Sequence, residues 1–203
     1  MGKEGMIMRY GTIGTGALAL VAIAAMPASA GAQDHEMFEL PAIQVEALQN
    51  PLHVAAIALY ETPSRWAEAG ELHEAAAREL TRNDAGQFFG FNRAALLYLY
   101  AGETGRSRRA MERAASVAEA TGDVLTAANS WVDAAFIAVA EGFPGKRRQF
   151  VTRARGLAES DLLSADESAS ILARIDGAPV SAAEARVALA QRLASPTTLV
   201  AAD

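Results

Sequence analysis

From Phe91 to Thr121 the chain reads FNRAALLYLYAGETGRSRRAMERAASVAEAT, and from Trp131 to Asp161 it reads WVDAAFIAVAEGFPGKRRQFVTRARGLAESD. Each stretch opens with an aromatic residue followed by small residues three and four places on. Phe91, Ala94, Ala95 and Tyr98 do this in the first, Trp131, Ala134, Ala135 and Ala138 in the second. That spacing lies on one face of a helix. Gly102 and Gly105 then interrupt the first stretch, and Gly142, Pro144 and Gly145 the second, because glycine admits positive φ and proline ends the hydrogen-bond ladder. A second apolar stripe follows in each, Ala110, Met111, Ala114, Val117 and Ala118 against Phe150, Val151, Ala154, Leu157 and Ala158. Two like helical hairpins are predicted, with paired alanines letting their helices approach closely and the aromatic filling the space beside them.

At an offset of 40 the two stretches share nine identities in 31 positions, spread over both helices and the turn. This predicts an internal repeat. A weaker copy lies upstream at an offset of 39: Leu52, Ala55, Ala56 and Leu59 supply the first stripe, Pro63 the turn, and Trp66, Ala69, Leu72, Ala76 and Leu80 the second stripe. Downstream, Ser164-x-x-Glu167 and Ser181-x-x-Glu184 have the spacing of capping boxes, and Gly177 and Pro179 separate the runs they open. A last hairpin over 162–195, including Val187 on its apolar stripe, is expected to cap the array.

The first-helix stripe resembles that of the tetratricopeptide repeat, W-x2-L-G-x2-Y. Trp131, Ala134 and Ala135 fall at its Trp, Leu and Gly places, and Phe91, Ala94, Ala95 and Tyr98 keep all four spacings. The resemblance covers residues 45–161, with a period of 39 to 40 in place of 34, alanine in place of the Leu and Gly, and no closing proline. It implies an all-α, right-handed stack of antiparallel hairpins over 47–161. It also implies a non-catalytic task, binding a protein or peptide in the groove formed by the first helices. Asn92, Tyr98, Asn129 and Asp133 are the residues expected to line that groove.

Composition agrees with a helical chain: 47 of 203 residues are alanine, and there are 7 prolines. The N-terminus reads differently. Lys3 and Arg9 precede the apolar run from Gly11 to Met26, and the small residues PASAGAQ follow. These are the parts of a signal peptide over 1–32, cut after Ala30 or Ala32, against the rival of a retained anchor. The expected location is periplasmic or extracellular, with membrane contact only through that segment before cleavage. Residues 33–46 read as a lead-in and 196–203 as a loose tail.

Removing 1–32 leaves 16 basic and 23 acidic residues, a net charge of 16 − 23 = −7, which argues against general nucleic-acid binding. With no cysteine, disulfides, thiol catalysis and cysteine-based zinc sites are excluded.

His35, His53 and His73 are too dispersed in sequence to predict a catalytic cluster, and His73-Glu74 lacks the second histidine of H-E-x-x-H, since Ala77 stands there. A chain beginning at Gln33 would place His35 third, the arrangement that wraps a square-planar Cu(II) or Ni(II). A solvated terminus outweighs that possibility, and neither a metal nor a cofactor is expected. GETGRSRR and GFPGKRR lack the spacing of a phosphate-binding loop. Their cations recur, however: Arg106, Arg108, Arg109 and Arg113 are followed one unit later by Lys146, Arg147, Arg148 and Arg153. Cations at second-helix N-termini oppose the helix dipole, so helix stability does not account for them. They predict a basic ridge facing an acidic partner or an anionic envelope polymer, with a merely solvated face as the alternative.

Overall fold

The computed structural model describes residues 50–80 and 85–193, and these are helical, with no strand among them. Eight α-helices follow in order: α1 (Pro51–Ile57), α2 (Trp66–Glu79), α3 (Ala85–Tyr100), α4 (Thr104–Thr121), α5 (Val124–Glu141), α6 (Pro144–Ala158), α7 (Ala165–Asp176) and α8 (Ala182–Leu193). A 3-10 turn, Pro63–Arg65, leads into α2. The segments expected as signal peptide, lead-in and tail lie outside the described residues, as does His35. Each helix from α1 to α7 packs on its neighbour in sequence, and α7 and α8 both rest on α5. Very short connections join α3 through α6, so those neighbours run antiparallel.

The three turns from α3 to α6 share one construction. Gly102, Gly122 and Gly142 take φ of +79°, +81° and +91°. In each, the following amide returns to the helix: Glu103 N to Tyr98 O at 2.7 Å, Asp123 N to Ala118 O at 3.0 Å, Phe143 N to Ala138 O at 2.8 Å. This six-to-one bond satisfies a carbonyl the helix end would otherwise leave open. The glycines lie 20 residues apart, so one helix and its turn occupy 20 residues.

Ala94, Ala95, Ala134 and Ala135 are fully buried in one core with Ala110, Ala114, Ala154 and Ala158, and Phe91, Trp131 and Phe150 fill the gaps between them. Helix α5 is long and apolar enough to cross a membrane on composition alone, yet twelve of its eighteen residues are buried by neighbouring helices. It is the central helix of the core. A smaller cluster joins Ala56 and Leu59 to Ala69 and Leu97 under Trp66 and Tyr100.

Two elements differ from expectation. Helix α1 has only seven residues, because the chain turns at once through Leu59 N to Ala56 O (3.0 Å) and Tyr60 N to Ile57 O (3.1 Å) before Pro63. Val187 of α8, expected on an apolar stripe, is half exposed, while Ala185 is buried on the opposite side.

Both predicted capping boxes form. Ser164 Oγ accepts from Glu167 N, and the Glu167 carboxylate accepts from Ser164 N at 2.8 Å; Ser181 and Glu184 make the same exchange at 3.2 and 3.3 Å. Ser164→Ala is expected to cost about 1 kcal/mol of stability, read from the midpoint of urea unfolding at unchanged slope.

Candidate functional site: an arginine-lined cleft and a buried histidine pair

Helices α2, α3 and α4 enclose a cleft of about 410 Å³. Its floor is Tyr98, whose ring packs so closely on α2 that a Cβ on Gly70 would stand 2.9 Å from it. Arg106 covers the ring from the other side, with Cζ 4.1 Å from the ring centre. The Tyr98 hydroxyl accepts from Arg106 Nη2 at 2.8 Å and donates to Glu74 Oε2 at 2.9 Å. Glu74 also accepts from Arg78 at 2.7 Å and from Arg113. Arg106 further pairs with Glu71 at 2.8 Å and with Glu103 at 3.0 Å on the rim. Arg109 lines the cleft, is exposed, and has no acidic partner among the described residues.

Four guanidinium groups therefore face Glu71, Glu74 and the rim's Glu103, leaving cations in excess by one. A guanidinium presents a planar fork of donors that matches a carboxylate or a phosphate. Burial, and then the hydrogen bond to Glu74, push the Tyr98 phenol far above its ordinary range, so it remains a donor. The cleft is equipped to hold an anion by hydrogen bonds and charge.

The eight cations of the expected ridge do not stand in one line. Arg106, Arg109 and Arg113, spaced i, i+3 and i+7, share the cleft face of α4. Arg108 turns to the other side, where it binds Glu141 at 2.6 Å and Glu112 at 3.0 Å and ties α4 to α5. Lys146 lies 3.5 Å from that same Glu112. Arg153 pairs with Glu119 at 2.9 Å and lies 4.5 Å over the Trp131 ring. Arg147 and Arg148 sit near the start of α6, Arg148 exposed. The 3.6-residue period is the reason: neighbouring cations on one helix point to different partners.

The four residues expected to line a groove are likewise divided. Tyr98 floors the cleft. Asn129 and Asp133 are both held by Arg174 of α7, which reaches Asp133 Oδ1 at 2.7 Å. Arg186 of α8 donates to the carbonyl of Ala140 at 3.0 Å. These helices thus cover that side of α5. Asn92 keeps a buried Oδ1 with no hydrogen-bond partner among the described residues.

The histidines, scattered in sequence, meet in space. His53 Nδ1 and His73 Nδ1 are 2.6 Å apart, and His73 Nε2 lies 2.5 Å from the Tyr60 hydroxyl. Phe89 meets both rings edge-on, with Arg93 over its face at 5.2 Å. His53, His73 and Arg93 are essentially inaccessible to solvent. Their numbers are 20 apart, the same stride as the turn glycines. That stride is the signal which marks them in the sequence, because residues near the middle of antiparallel neighbours, one helix and turn apart, lie at matching levels. Among the described residues no three histidine, aspartate or glutamate side chains converge as a metal site. No family model, curated protein or solved structure matches the chain.

Proposed function

We propose that the protein is an exported, non-catalytic binding protein, built as a tetratricopeptide-like right-handed stack of hairpins. The cleft of α2, α3 and α4 receives an acidic segment of a protein partner. One observation carries this reading: four arginines line one cleft, and Arg109 is left without an acidic partner among the described residues. Glu74, Tyr98 and Arg106 hold one another in place, so the donors are positioned before a ligand arrives, which lowers the entropy cost of binding. The export reading rests on Lys3, Arg9 and the apolar run that follows. A second reading, a scaffold subunit holding an anionic envelope polymer, is favoured by Arg148, an exposed cation on α6 outside the cleft.

A fluorescent peptide containing consecutive glutamates, titrated against the protein and compared with its glutamine counterpart, tests the first reading. Binding of the glutamate peptide is expected to weaken with added salt, and Arg109→Glu to weaken it by about 10-fold. Equal binding of both peptides overturns the cleft assignment. Loss on Arg148→Glu with none on Arg109→Glu favours the polymer-binding surface instead.

A further inference from the structure

We infer that the His53–His73 pair is an acid-sensitive latch fastening α1 and the turn after it to α2 and α3. Helix α1 is weakly anchored. Its only buried residues are His53 and Ala56, followed by Leu59 just beyond its end. An element with so little buried apolar surface opens before the rest of a fold does. The imidazole contact is therefore a large share of what holds it.

The donors in this cluster run in one direction. Arg93 can only donate, and it lies close enough to the Tyr60 hydroxyl to act on its ionisation. With Arg93 on its acceptor side, the Tyr60 hydroxyl is free to donate to His73 Nε2. A neutral His73 must then carry its proton on Nδ1 and donate to His53 Nδ1, leaving the His53 proton on Nε2. These tautomers follow from the order of donors, and they leave His53 Nε2 buried without a hydrogen-bond partner among the described residues. An added proton disrupts this order. On His53 Nδ1 it would face the proton of His73, and on His73 Nε2 it would force the Tyr60 hydroxyl to turn from donor to acceptor. Either cation would also lie in the same buried cluster as Arg93, with little solvent to offset the charge.

Among the described residues, the titratable or charged groups facing the pair are Tyr60 from the turn after α1 and Arg93 from α3. Phe89 and Gly90 complete the α3 side, where a Cβ on Gly90 would stand 3.2 Å from His53. No carboxylate is among these described partners. Burial, then Arg93, hold His53 below its ordinary pKa; burial, then His53 and Arg93, hold His73 well below. Burial likewise pushes Tyr60 up to about 12, so it stays a neutral donor.

The sign follows from linkage. When α1 is open, both imidazoles meet water and take protons below about pH 6.5; when it is closed they do not. The latch is at full strength above that pH and weakens as pH falls towards the depressed values. Each histidine in that window multiplies the opening constant by up to about 10 per pH unit, and the two together by up to about 100. This inference is independent of the ligand assigned to the cleft.

Hydrogen exchange of the whole protein, followed by mass spectrometry from about pH 8 to about pH 5 and corrected for intrinsic exchange, reads the opening constant directly. Protection of residues 51–60 is expected to fall below about pH 6.5 while that of 124–141 holds. His53→Gln is expected to reduce the pH slope by up to about 10-fold per unit, and adding His73→Gln to abolish it. Should the double variant not fold, the wild-type comparison still decides. Protection of 51–60 that is flat with pH, or that falls in step with 124–141, overturns the latch.

Discussion

Replacing Trp131 by alanine is expected to destabilise the protein by about 3–5 kcal/mol, the range for truncating a buried aromatic. Trp131 is 3% exposed and stacks on Phe150 with ring centres 5.5 Å apart. Its Nε1 donates to Glu119 at 3.1 Å, and Arg153 bridges back to that carboxylate across the indole face. Alanine would open a cavity among side chains that are mostly alanine already and cannot swing in to fill it. It would also remove a donor from Glu119. Trp131→Phe keeps most of the volume and should cost clearly less. Urea unfolding of both variants is the measurement. A loss below about 1 kcal/mol for the alanine variant would show that the aromatic is not the filler this core requires.

Gly90→Ala is expected to cost about 2–3 kcal/mol, although alanine is intrinsically the better helix former. A Cβ there would stand 2.7 Å from Ala77 Cβ and 2.8 Å from the carbonyl oxygen of His73. Both belong to α2, and neither is a flexible chain end that can move aside. Relief requires α3 to shift from α2, which would strain the cleft and the histidine cluster together. Thermal unfolding gives the magnitude. A variant as stable as the wild type would mean that α2 and α3 do not approach this closely.

Much of the local architecture is legible along the chain. Helices α3 to α6 follow from the apolar stripes, and the capping boxes of α7 and α8 from serine and glutamate three residues apart. The stripe Arg106, Arg109 and Arg113 is readable too, since i, i+3 and i+7 share a face. What answers those cations is not readable. Glu71 and Glu74 lie on another helix, and whether they meet Arg106 and Arg113 depends on how far α2 is rotated and slid against α4. The same holds for Asn129 and Asp133: a surface helix pattern leaves them open, and only the return of α7 with Arg174 covers them. The histidine pair escaped because neighbours within one helix lie three or four residues apart, whereas the separation of neighbours across two antiparallel helices depends on their distance from the turn: 20 for this pair, 12 for Trp131 and Glu119.

By itself, the sequence determined the turns at Gly102 and Gly142 and the capped starts of α7 and α8, because caps, breakers and a 3.6-residue stripe act through bonds within a few residues. It also determined that those helices would pack closely, since alanine at the crossings leaves no bulk to hold them apart. The tertiary structure alone decided which charges neutralise one another, that α7 and α8 fold back over α5, and that two distant imidazoles share one buried hydrogen bond. Such pairings turn on shifts of an ångström or two between helices, and those are set by the packing of the whole core.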